Sequence, residues 1–343
     1  STETIQIRRM TGLSTLWSTA SYSRVRGDMY GDIKVFAGRS HPALAKAICS
    51  HLGLALGKSH VVRFSNENLM VQINENVRES DVFVVQTSST PVNEHLVELL
   101  IFIDALKSAS AARVTAVLPY FPYVRSDKKD RPRISITARL VADLIEAAGA
   151  DRVLTVDLHS PQVQGFFKIP VDQLQAAGLI CSHLRDRLDL ENTVAVASDA
   201  GEAKDIARYA NRLKVPIAII DKRRYGDNDK VVAKHLIGDV KGKTALLIDD
   251  EVSTGGTLVE ACRFLKEQGA TRIMAAATHP VFSGKDPENL GGAEFERVAV
   301  TDSVPVPKSK FFKGLEVLPI APLLAEAIRR IHDGRSVSRL FGE

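Results

Sequence analysis

Nine short runs rich in Val, Ile, Leu and Ala recur between residues 33 and 301, and amphipathic segments alternate with many of them. The runs cover 33–37, 81–86, 114–119, 153–157, 193–197, 217–221, 245–249, 273–277 and 298–301. Residues 42–54, 93–108, 136–148, 179–188, 204–213, 258–268 and 322–332 carry helical apolar spacing. Near-continuous apolar strands between such helices fit parallel sheets covered on both faces, since each strand must then be buried on two sides. A helix–small residue–Arg–strand pattern occurs in SASAARVTAVLPY, EAAGADRVLTVDLHS and KEQGATRIMAAATHP. We therefore expect an α/β chain of two similar halves, 33–175 and 176–343, each a mostly parallel sheet flanked by helices. Residues 1–32, rich in Ser, Thr and Arg around an isolated Trp17, read as a poorly ordered extension, with an organelle presequence as the alternative.

In parallel sheets ligands gather where strands end, and one strand end is unusual. In ALLIDDEVSTGGTL (245–258) the apolar run meets Asp249, Asp250 and Glu251, then Ser253, Thr254, Gly255, Gly256 and Thr257. A Gly-rich turn opening a helix leaves backbone N–H groups and the positive end of the helix dipole for a phosphate. Three acids beside it would repel that phosphate unless they served another part of the same ligand. Carboxylates accept hydrogen bonds from paired hydroxyls, as on a ribose, and hold Mg²⁺ directly or through water. The segment thus reads as a grip on a sugar phosphate. Neither GxxxxGK[ST] nor GxGxxG occurs.

Three further constellations end strands. In VLTVDLHSPQVQGFF, alternation along a strand would put Asp157 and His159 on one face. Asp199 follows the run at 193–197. Asp221, Lys222, Arg223 and Arg224 follow an apolar run; three successive cations are ordinarily a solvated turn, and here they also suit a polyphosphate.

The loop at 245–258 resembles the phosphoribosyl pyrophosphate-binding loop of type I phosphoribosyltransferases and of ribose-phosphate pyrophosphokinases. RFSNENLMVQINENVRESDVFVVQ, PYFPYVRSDKKDRPRISITARLVADLI, VDLHSPQVQGFFKIPVDQL, IAIIDKRR and SVSRLF resemble the pyrophosphokinases, over about 33–341. The resemblance implies transfer of the diphosphoryl group of ATP to the anomeric hydroxyl of ribose 5-phosphate, with Mg²⁺. It implies Lys222, Arg224 and His159 as catalytic, on a mobile flap for the two cations, and His159 and Asp199 on the metal. Ribose 5-phosphate falls to Asp249, Asp250, Ser253, Thr254, Gly255, Gly256 and Thr257. ATP falls to Phe64, Asn66, Asn68, Arg125, Ser126, Asp127 and His159. Arg78, Lys129, Arg133 and Ser336 resemble the phosphate/ADP regulatory positions of class I members, a site between subunits that implies a homo-oligomer, of hexamer type. Asn68, Ser126, Glu202 and Ser253 depart from the family's usual Glu, Gln, Gly and Asp. A weakly active regulatory subunit and a phosphoribosyltransferase remain alternatives.

The net charge of +4 is spread along the chain. The reading includes neither a nucleic-acid partner nor a membrane. Cys49, Cys181 and Cys262 show no metal spacing and read as buried thiols of a cytoplasmic protein.

Overall fold

A computed structural model describes residues 30–199, 201, 203–224, 231–253, 255–283 and 286–341. Most of the 1–32 segment, Glu202 and Thr254 therefore lie outside the described residues. The first sheet is wholly parallel, in the order β1 (Ile33–Ala37), β4 (Asp81–Val85), β5 (Arg113–Leu118), β6 (Arg152–Val156), β7 (Val171–Leu174). A separate antiparallel hairpin pairs β2 (Ser59–Arg63) with β3 (Leu69–Ile73). The second sheet runs β10 (Val231–Ile237), β9 (Ile217–Arg224), β8 (Thr193–Ala197), β11 (Thr244–Val252), β12 (Arg272–Pro280), β13 (Arg297–Thr301), β14 (Leu315–Leu318). All its neighbours are parallel except β10 against β9.

The central strands form where the sequence is predominantly apolar. Residues 81–85 and 113–118 are buried at every position, as two-faced parallel strands must be. The helices are α1 (Pro42–Leu52), α2 (Val92–Ser108), α3 (Thr137–Ala147), α4 (Ala177–Arg185), α5 (Ala203–Leu213), α6 (Gly256–Glu267), α7 (Asp286–Gly291) and α8 (Ala321–His332). The three helix–Arg–strand stretches become α2–β5, α3–β6 and α6–β12. In α1, Pro42 opens the helix and Gly53 closes it at φ 73°, where its N–H reaches back to Cys49 and Ser50, the expected asymmetry of helix ends.

Alternate residues of each strand enter different cores. Phe36, Val82 and Val84 face a core private to the first sheet. Ala245, Leu247 and Ala275 face one private to the second. Between them Val35, Phe83, Val85, Leu154 and Val156 share one core with Leu246, Ile248, Met274 and Ile328. The junction residues Leu174, Ala176 and Ala177 are buried in that shared core, so the halves meet through packed apolar surface. The three cysteines are free and buried, and burial raises each thiol to about 11.

A polar clasp also joins them. Arg113 donates Nε and Nη2 to the two oxygens of Asp81, at 2.8 and 2.5 Å, and Nη2 also reaches the Ile331 carbonyl. His332 Nδ1 lies 2.9 Å from Asp81, and the Tyr30 ring covers the guanidinium. The Asp81 side chain is 0% exposed. Removing one partner of a buried pair strands the other charge, so Asp81→Ala should cost about 3–5 kcal/mol of stability, read by chemical denaturation.

Three segments differ from expectation. The strand predicted at 245–249 continues to Val252, because Glu251 and Val252 pair in register with His279 and Pro280. The cationic 221–224 stretch is strand rather than turn: β10 pairs beside it, with Lys222 opposite Lys234. The strand at 153–157 stops at Val156, because Asp157 takes a left-handed φ of 34°. Strict alternation to His159 is thereby broken.

Candidate active site

The second sheet reverses its strand order at β8 and β11: β9 lies on one side and β12 on the other. A crevice opens at the carboxyl ends of strands at such a point. Both acidic strand ends fall there. Asp199 follows β8, and its Oδ1 accepts the Gly201 N–H at 2.7 Å. Asp249 and Asp250 lie near the end of β11, half-buried. Each accepts the next N–H at 2.9 Å, from Asp250 and Glu251 respectively.

After β11 the chain turns through Gly255, at φ 61°, into α6. A left-handed residue at the start of a helix is a glycine position. Among the described residues no side chain caps α6, so its first N–H groups and dipole suit an anion. The Ser253 carbonyl accepts both the N–H and the hydroxyl of Ser283 at 2.8 Å, tying the turn to the end of β12. Thr257 is exposed on the first turn.

The first half contributes the facing wall. His159, beyond β6, brings Nδ1 to 2.6 Å from Asp250 Oδ2. That hydrogen bond raises the His159 imidazole above its ordinary value, against burial, which lowers it. Burial would raise Asp250, but hydrogen bonds with His159 and Asp249 lower it to about 2, so it is ionised at neutral pH. Asp157 Oδ2 accepts Thr278 Oγ1 at 2.8 Å and the Ala176 N–H at 2.9 Å. His279 Nε2 lies 3.1 and 3.0 Å from the carbonyls of Val156 and Asp157. Asp157 thus anchors the β6 end to β12 while His159 turns to Asp250.

His159, Asp199, Asp249 and Asp250 line one cavity of about 350 Å³ with Asp157, Lys128, Thr278 and Tyr209. Among the described residues no three His, Cys, Asp or Glu side chains converge enough to hold a bare metal ion. A hard divalent cation that retains water and shares substrate phosphate oxygens still fits this oxygen-rich wall.

Other expected residues with described side chains are not among those lining this cavity. Phe64, Asn66 and Asn68 occupy the turn joining β2 to β3, with Phe64 49% exposed. There Asn66 Oδ1 accepts the Asn68 N–H at 3.2 Å. Arg125 reaches Glu251, while Ser126 and Asp127 follow it on the loop before α3. Arg78, Lys129, Arg133 and Ser336 are each exposed, and no described hydrogen bond or ion pair joins any two of them. Lys222 and Arg224 sit on β9; their side chains, and the flap tip at 225–230, lie outside the described residues. Sequence reasoning missed Lys128, Thr278 and Tyr209, which reach the cavity from three separate elements with no local signature.

An acidic strand end at a switch point, followed by a glycine turn and an uncapped helix, is the frame of type I phosphoribosyltransferase-like proteins. Residues 33–149 match the N-terminal domain of ribose phosphate pyrophosphokinase, and residues 228–342 match a phosphoribosyl synthetase-associated domain. The ribose-phosphate pyrophosphokinase of Deinococcus radiodurans is 51% identical over 311 residues, 90% of this chain and 97% of that protein. That of Bacillus caldolyticus is 46% identical over 314 residues, 92% and 99% of the two chains. The crystal structure of phosphoribosylpyrophosphate synthetase from Mycobacterium smegmatis superposes with a TM-score of 0.82 at 43% identity, over 89% of this chain and 100% of that one.

The chain belongs to the ribose-phosphate pyrophosphokinase family. Its reaction is transfer of a diphosphoryl group from ATP to ribose 5-phosphate. The transferase and regulatory-subunit alternatives are not favoured by these relatives.

Proposed function

We infer that the two halves, divided at 175/176, hold the two substrates against each other. The observation that carries this reading is the His159–Asp250 pair, which joins an ATP-side group to a ribose-side carboxylate across the halves. Ribose 5-phosphate places its phosphate at the start of α6, on the N–H groups of Gly255 to Thr257 with the hydroxyls of Ser253, Thr254 and Thr257. Asp249 and Asp250 accept its vicinal hydroxyls. ATP lays its phosphates along Arg125, Ser126, Asp127 and His159, and its adenine against Phe64, Asn66 and Asn68, where stacking and amide contacts suit a purine.

The anomeric oxygen then attacks the β-phosphorus in line. A bond forms from that oxygen to the phosphorus, the link from the β-phosphorus to the α–β bridging oxygen breaks, and AMP leaves with the electron pair. The hydroxyl proton passes to solvent water as the bond forms. Lys222 and Arg224 steady the charge that builds on the moving group. His159 and Asp199 would hold Mg²⁺, which would supply neutralisation of the phosphate charge. Asp250 accepts from Nδ1 and leaves Nε2 of His159 as the free nitrogen, the usual division of labour in a histidine that meets a metal or phosphate.

On family precedent the chain forms a homo-oligomer of hexamer type, with exposed Arg78, Lys129, Arg133 and Ser336 at regulatory sites between subunits. The buried free thiols fit a reducing cytoplasm. No helix among the described residues is long and apolar enough to cross a membrane.

AMP formation from ATP, ribose 5-phosphate and Mg²⁺ tests the reading. AMP should appear only with all three and stop on adding EDTA. Pyrophosphate release that needs a free base, with no AMP, would contradict it.

A further inference from the structure

Glu251, the third acid of the β11 end, has no role in the reaction described above, yet its side chain is only 6% exposed. Both its oxygens are engaged by the first half. Tyr120 Oη donates to Oε2 at 2.6 Å, and Arg125 Nη1 donates to Oε1 at 3.2 Å. The backbone beneath is rigid, because Glu251 pairs with His279 in the sheet. Tyr120 is fixed as well: its N–H donates to Thr87 Oγ1 at 3.1 Å, and its ring lies 4.8 Å from that of His279. Burial, then the Glu251 carboxylate, raise the Tyr120 phenol well above its ordinary range, so it remains a donor.

Arg125 is the exposed member. Its side chain is 63% exposed and uses one guanidinium nitrogen on Glu251. A long exposed cation on a loop otherwise loses much rotamer freedom when it binds a ligand. We propose that Glu251 is a positioning residue for ATP: it holds one edge of the Arg125 guanidinium from a paired strand and leaves the other donors for a phosphate. The same contact ties that arginine to the strand carrying Asp249 and Asp250, and so sets the span between the two substrates. The proposal rests on the reading that Arg125 meets the ATP phosphates.

A carboxylate beside such an arginine also opposes an anion. Two features make positioning the larger effect. Both Glu251 oxygens are occupied by donors and turned from solvent, and the exposed guanidinium sits where water and salt screen the charge.

Steady-state kinetics on the full chain test this with Glu251→Gln, which keeps the shape and the Tyr120 acceptor but loses the ion pair. KM for ATP should rise about tenfold, the scale of a lost charged hydrogen bond, with KM for ribose 5-phosphate within about twofold. Arg125→Ala should raise KM for ATP at least as far, and the double variant should be no worse than Arg125→Ala alone. Should the amide destabilise the chain, Glu251→Asp carries the test, with a rise in the same direction. Titration calorimetry with α,β-methylene-ATP reads the same loss without turnover. A KM for ATP unchanged or lowered in Glu251→Gln, or effects that multiply in the double variant, would overturn the positioning role alone. An Arg125→Ala variant with unchanged KM for ATP would instead remove the phosphate assignment of Arg125.

Discussion

Replacing Lys222 with alanine is expected to lower kcat by about 10²–10³-fold while both KM values stay within a few-fold. On the proposed reading, bound ATP is already neutralised in part by its cation and by Arg125. As the bond to the α–β bridging oxygen breaks, new charge builds on that oxygen and on the transferring group. A lysine placed for that moment contributes to the transition state and little to ground-state binding. Lys222 lies on a strand paired in register with β10, opposite Lys234, a stiffer platform than the solvated turn expected of three consecutive cations. Rapid-quench turnover with saturating substrates checks the value; unchanged kcat would remove Lys222 from the chemistry.

Asp250→Asn is expected to have an effect of similar size on the other substrate, lowering kcat/KM for ribose 5-phosphate about 10²–10³-fold. The native carboxylate, at about 2, is fully charged at neutral pH. It accepts from His159 on one side, and on the proposed reading it accepts the sugar hydroxyls on the other. The amide keeps the shape but loses the charge, and its NH₂ can face a donor it cannot accept from. A second readout comes from His159. Its hydrogen bond to Asp250 is the largest cause of its raised value, so its imidazole should titrate lower in the variant, by NMR. A variant with unchanged sugar kinetics would show that Asp250 serves the histidine alone.

Much of this was legible in the chain because the relevant residues are neighbours in sequence. Asp249, Asp250, Gly255 and Gly256 span one strand end and one helix start, where spacing alone fixes the geometry. The buried strands β4, β5 and β8 were legible because they are apolar at nearly every position. What the sequence concealed depends on sheet order and on packing between the halves. His159 and Asp250 are 91 residues apart, and Tyr120 and Glu251 are 131 apart. No local pattern announces either pair. The short strands β2, β3, β7, β10 and β14 were missed where they are edge or hairpin strands, half-polar and without the continuous apolar run that marks a centre. Asp157 was placed on a continuing strand because alternation predicts no left-handed residue there.

The central claim is that the acidic end of β11 and the start of α6 together hold one phosphorylated pentose. A crystal structure of the protein soaked with ribose 5-phosphate tests this most directly. The account predicts the phosphate against the N–H groups of Gly255 to Thr257 and the vicinal hydroxyls on Asp249 and Asp250. A sugar found elsewhere, or bound here with its phosphate pointing away from α6, would contradict it.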